Sequence, residues 1–102
     1  MSKEKEGRKI GKSLKKVKDA LGLKNEDFTK FIQDEPDVIK GLEKTTDQEI
    51  PISLLYQLSW FANLKWRESC DIGLKERKVE NVRITRDLRD VCDEEIMRRL
   101  KI

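Results

Sequence analysis

Histidine is absent from the 102-residue chain, which removes the usual neutral-pH acid and base, the commonest metal ligand and the usual member of a hydrolytic triad. Catalysis, a bound metal and a cofactor are therefore not expected. Adjacent acids such as Asp34/Glu35 and Glu94/Glu95 read as solvated surface on so charged a chain. Cysteine is nearly absent too: Cys70 and Cys92 stand 22 positions apart, without CxxC spacing and without a secretory leader ahead of them, so a reduced, cytoplasmic compartment is expected. Long apolar runs are missing. The most apolar stretch, Ile52 to Leu64, is interrupted by Ser53, Gln57, Ser59 and Asn63, and no membrane partner is expected.

What remains is charge and a modest set of grouped apolar residues. The composition is 42% charged and 36% hydrophobic, at a length typical of one domain able to bury a core without metal or disulfide support. The charge is unevenly placed. Residues 1–24 hold nine Lys/Arg against three Asp/Glu, residues 25–55 three against eight, and the remainder eleven against nine. A basic front followed by an acidic middle points to a charged partner.

Apolar spacing then sets out the helices. Ile10, Leu14, Val17 and Leu21 recur at four, three and four, predicting a first helix over 9–21 that Gly22 closes, with Lys9, Lys12, Lys15, Lys16 and Lys18 on the opposite face. Asn25 suits an N-cap for a second helix over 26–32, burying Phe28, Phe31 and Ile32. Gln33 and Asp34 make a tight turn, and Pro36 opens a third helix to about Lys44 that buries Val38, Ile39 and Leu42. After the polar loop 45–49, Ser53 caps a fourth helix with Leu54, Leu55, Leu58, Phe61 and Ala62 inward. That helix is expected to end within 63–66, a short fifth turn following through Trp66 and Ile72, and the Trp60, Phe61, Trp66 cluster is expected in the core. Val79, Val82 and Ile84 fit a short strand or an irregular arm. Thr85 then caps a final helix over 86–100, whose stripe of Leu88, Val91, Cys92, Ile96 and Leu100 is either core or a dimerisation surface.

Two short helices joined by a tight turn, behind a basic helix and ahead of an apolar one, form the order in which a third helix is offered to a DNA major groove. From Gly11 to Asn63 the sequence resembles the lambda-repressor-like (Cro/repressor, XRE) helix-turn-helix family. The resemblance rests on Leu14, Lys18, the Gly22-Leu23 step, Asn25 where the family often has glutamine, Ile39, Leu42-Glu43 and the proline before a leucine-rich helix, in ungapped order over about half the chain. It implies an all-α, five-helix domain over 9–72, behind a flexible basic N-terminus at 1–8 and ahead of a C-terminal extension at 73–102 that ends in a helix. It further implies a transcriptional regulator, such as a repressor, paired as a homodimer on double-stranded DNA. Lys18 and Asn25 would touch phosphates together with Lys12 and Lys16 of the basic first helix; Asp37 and Lys40 would face the groove; Lys44, Thr45 and Thr46 would meet the backbone beyond it.

The sequence departs from the family where bases are usually read. Asp34, Glu35 and Asp37 place three carboxylates against a phosphate-lined groove, which repels them. The same scaffold therefore has a second expected use, as a protein-interaction module whose acidic third-helix surface docks another regulator.

Overall fold

The computed structural model of the chain describes residues 7–28, 40–76 and 79–101, with only the backbone at 73–76. These residues are helical without a strand among them: α1 (Lys9–Leu21), α2 (Asn25–Phe28), a 3₁₀ turn (Asp47–Glu49), α3 (Ile52–Glu76) and α4 (Val79–Leu100). Residues 40–42 are helical as well.

α1 forms where its period predicts, burying Ile10, Leu14 and Val17. Gly22 ends it at φ 65°, in the left-handed region that glycine enters without a Cβ penalty, and the Leu23 N–H donates to the Lys18 carbonyl at 2.9 Å. α2 opens one residue earlier than the Asn25 cap implies. The Asp27 carboxylate accepts from the Lys24 N–H at 2.8 Å while the Asp27 N–H donates to the Lys24 carbonyl, so Lys24 holds the cap position and Asp27 supplies the reciprocal bond of a capping box. The expected second helix beyond Phe28 and the third before residue 40 lie outside the described residues. The turn closing residues 40–42 is made by Lys44 and Thr45, whose N–H groups donate to the Gly41 and Leu42 carbonyls.

The second half departs further. The helix entered after Pro51 begins at Ile52, not behind a Ser53 cap, and runs unbroken for 25 residues to Glu76. Nothing in 63–66 breaks a helix, and Lys65 and Glu68 pair one turn apart at 3.5 Å. Val79 to Ile84, read as a strand or arm, is the opening of the 22-residue α4. Thr85 is no cap: it lies fully buried inside the helix, its hydroxyl donating to the Asn81 carbonyl at 2.7 Å. That back-bond lets a polar residue occupy a core position without an unmet donor.

One hydrophobic cluster runs through the chain, from Ile10, Leu14 and Val17 through Phe28, Leu42, Ile50, Leu54, Leu55, Leu58, Phe61 and Ala62 to Leu88, Cys92 and Ile96. Phe28 and Phe61 meet with ring centroids 4.5 Å apart. The segment expected as an extension thus supplies core, and Leu88, Cys92 and Ile96 are not available on the surface to a second copy. Of that stripe Val91 is half-buried and Leu100 exposed. Of the aromatic cluster expected in the core only Phe61 is fully buried; Trp66 is half-buried under the Arg89 guanidinium, 4.3 Å from its ring, and Trp60 is exposed. Both cysteines are free, and burial, with Asp93 and Asp47 nearby, pushes the Cys92 thiol far above its ordinary range, which makes it inert.

Gly11 fixes how α1 meets residues 42–43. A Cβ there would stand 2.5 Å from the Leu42 carbonyl oxygen and 3.1 Å from the Glu43 Cα, both backbone atoms that cannot rotate aside. Gly11→Ala is therefore expected to lose about 1–3 kcal/mol through overpacking, against the usual helix preference for alanine. Gly41→Ala, with nothing within 4 Å of its Cβ position, should gain about 0.5–1 kcal/mol instead. Urea unfolding of both variants checks this; a Gly11→Ala protein as stable as the parent would mean that α1 does not rest on that turn.

Candidate nucleic-acid interface

The lysines of α1 come from one helical face, but the fold divides that face into two flanks. Gly11 and Lys18 mark the flank against residues 42–43, since the Lys18 ammonium lies 3.5 Å from the Glu43 carboxylate. Lys15, four residues after Gly11 and three before Lys18, belongs to this flank and stays exposed. Lys40 and Lys44 are exposed at the two ends of the adjoining turn. The close approach at Gly11 therefore sets Lys15 on the flank of α1 that meets the segment bearing Lys40 and Lys44. None of the three has a carboxylate within ion-pairing distance among the described residues.

The other flank faces α4. Lys9, Lys12, Ser13 and Lys16 line one wall of a groove of about 330 Å³, and Ile84, Asp87, Asp90 and Val91 line the other. Lys12 and Lys16, expected on phosphates, thus look across at two aspartates, which lowers the positive potential on that side. Lys15 was not among the expected contacts. Its four-residue spacing from a glycine inside a helix was the available signal, because such a glycine marks where a neighbouring backbone comes close.

The remaining expected contacts are placed as follows. Asn25 is half-buried, and its Oδ1 has no hydrogen-bond partner among the described residues. Thr45 donates its hydroxyl proton to the Gly41 carbonyl at 2.7 Å, and Thr46 donates its own to the Glu49 carboxylate. Neither hydroxyl can donate to a phosphate without giving up that bond. Asp37, with the acid run 34–37, lies outside the described residues. No group of three metal-ligating side chains occurs among those described. No helix is long and apolar enough to cross a membrane, again among the described residues.

The N-terminal turn of α1 is held from a distance. Arg8 makes no side-chain cap; the Asp47 carboxylate accepts the Ile10 N–H at 2.9 Å across 37 residues of sequence. The Asp47 carbonyl accepts from Arg99 at 2.8 Å. Arg99 also reaches Glu95, 2.9 Å away and almost wholly buried, and Arg98 pairs with the second Glu95 oxygen at 3.0 Å. Burial raises the Asp47 pKa above its ordinary 3.8, the Ile10 hydrogen bond partly offsets this, and the charge of Glu95 adds to the rise. No family model matches the chain, and neither a curated protein nor a solved structure is found to be similar to it.

Because the folded state binds the Asp47 proton more tightly than the unfolded state does, ionised Asp47 detracts from stability at neutral pH. That penalty is relieved as pH falls through the folded pKa towards 3.8. Asp47→Asn keeps an acceptor for Ile10 and should match or exceed the parent at neutral pH, the difference closing in acid. Asp47→Ala loses the cap and should fall by about 0.5–2 kcal/mol. Thermal melts between neutral and acid pH test both; an asparagine variant as unstable as the alanine one would remove the carboxyl oxygen from its capping role.

Proposed function

We propose that the chain is a lambda-repressor-like helix-turn-helix regulator of transcription that grips duplex DNA by its phosphates. What supports this reading is that α1 packs at Gly11 against residues 42–43, which sets the exposed Lys15 on the flank of α1 next to the segment that bears the exposed Lys40 and Lys44. Lys12 stands on the other flank, across the groove from Asp87 and Asp90, and is not counted in this basic strip. Exposed cations that neutralise phosphates release condensed counterions from DNA, which gives an affinity that is largely blind to sequence and steeply dependent on salt. By the family resemblance, base reading would fall to the segment that includes Lys40. Lys18 takes a different part from the one the family pattern gives it: neutralising Glu43, it keeps a carboxylate beside the strip from repelling the duplex.

A second reading has one observation in its favour. The Lys18 to Glu43 pair takes a cation away from the flank of α1 beside residues 42–43, and the sequence just ahead of it carries the acids Asp34, Glu35 and Asp37, a charge suited to a basic protein partner.

The test is fluorescence anisotropy with a random-sequence duplex pool at about 50 mM salt, repeated at rising salt. Lys40→Glu/Lys44→Glu should weaken binding at least about tenfold and reduce the steepness of the salt dependence by about one per contact removed. Glu43→Gln should strengthen binding. Arg86→Glu, on exposed α4, should leave it nearly unchanged. A parent protein that binds no duplex at low salt rejects the DNA reading and leaves the protein-docking one.

A further inference from the structure

α4 buries one face in the core and turns another outward. Asp90, Glu94, Met97 and Lys101 follow one another at spacings of four, three and four, so they lie along a single exposed line on or just past the helix. Met97 is 67% exposed and Leu100, beside it, 52%. With Arg98 and Lys101 they line a shallow hollow of about 350 Å³.

α3 adds to this patch. The Ser59 hydroxyl donates to the Asp93 carboxylate at 2.6 Å, and farther along Trp66 lies against Arg89, so α3 and α4 run antiparallel. Seven residues back from Ser59 is Ile52, and seven on from Asp93 is Leu100; the shared rise per residue places them level. By the same register Tyr56 stands level with the step from Ile96 to Met97. Ile52 and Tyr56 are 39% and 46% exposed, so four large apolar side chains are exposed at the same end of the helix pair. An apolar patch of that kind on so charged a chain marks an interaction surface.

The charges around Met97 indicate its occupant. Glu94 precedes Met97 by three residues and Lys101 follows it by four, both exposed. A two-fold axis beside Met97, relating two antiparallel α4 helices, brings Glu94 of each copy opposite Lys101 of the other and seats the two Met97 side chains against one another. An isologous contact requires such self-complementarity, and here the face supplies it. We infer that this chain pairs with a second copy of itself through the outer face of α4, with Met97 at the axis, Leu100, Ile52 and Tyr56 around it, and Glu94 bridged to Lys101 across the interface. The pairing uses no residue of the lysine strip and stands or falls independently of DNA binding.

Sedimentation velocity of the full chain over a concentration series, without nucleic acid, tests the pairing. The parent should pass from monomer to dimer. Glu94→Lys and Lys101→Glu, each opposing like charges across the axis, should weaken the dimer about tenfold apiece. The double variant should restore it, since the two sites stand about two turns apart on one helix and cannot repair each other within a chain. Met97→Glu should leave monomers only. All these side chains are exposed, so circular dichroism melts near the parent's are expected. A parent that stays monomeric at every concentration overturns the proposal, as does a double variant no better than either single one or a Met97→Glu dimer of undiminished affinity.

Discussion

The N–H groups that open α1 have no intrahelical acceptor, and the sequence next to them offers no capping side chain; Asp47, 37 residues on from Ile10, meets the need. The same residue uses its N–H and its carbonyl as well, the first to the Gly7 carbonyl and the second to Arg99 in the last turn of α4. One turn of chain therefore ties the beginning of the first helix to the end of the last. The cost is a partly desolvated carboxylate beside a buried Glu95, tolerable because Arg98 and Arg99 stand on that glutamate from within its own helix. Ile50, fully buried three residues later, anchors the turn in the core, so the polar junction and the apolar packing hold one another in place.

From that tie follows the division of the lysine-bearing helix. With its start held at Asp47 and its glycine pressed against Leu42, α1 cannot roll about its axis, and its two flanks face different neighbours. One meets the turn after residues 40–42, where Glu43 neutralises Lys18 and leaves Lys15 exposed; the other meets Asp87 and Asp90 across a groove. Net charge describes neither flank. What a phosphate backbone would meet depends on which lysines face carboxylates, and that is set by packing.

The sequence was most legible where apolar period and helix punctuation agree. The extent of α1, its closure at Gly22 and the inward set from Leu54 to Ala62 could be read directly. It was least legible where core positions hold polar residues. Thr85 sits on the buried line of α4, and because its hydroxyl bonds back to Asn81, a polar residue there signals no helix boundary; the β-branched Val79, Val82 and Ile84 before it imitate a strand. The join at 63–66 misled for the converse reason: mixed polarity in a long helix reflects a change of neighbours along its length, not an end. In the candidate interface, lysine positions were legible and their partners were not, because Glu43, Asp87 and Asp90 face α1 only through tertiary contact. Asp47 was hidden most completely, since nothing local distinguishes an acid in a polar loop from one that caps a helix 37 residues away.

The final helix shows why an amphipathic stripe cannot by itself be assigned to a core or to a partner. Leu88, Cys92 and Ile96 have the spacing of a self-association seam, and α4 spends them on α1 and α3. The single cluster reaching from Ile10 to Ile96 could not close without them, because α1 and α3 alone leave its third side open to water. Once that face is committed, whatever apolar surface remains on α4 must lie elsewhere around the helix, and it lies at Met97 and Leu100. Burying two exposed apolar residues on a chain of this charge density needs neighbours that do not repel one another. The alternation of Glu94 and Lys101 about Met97 meets that condition for a two-fold contact, whereas a surface of one sign would not.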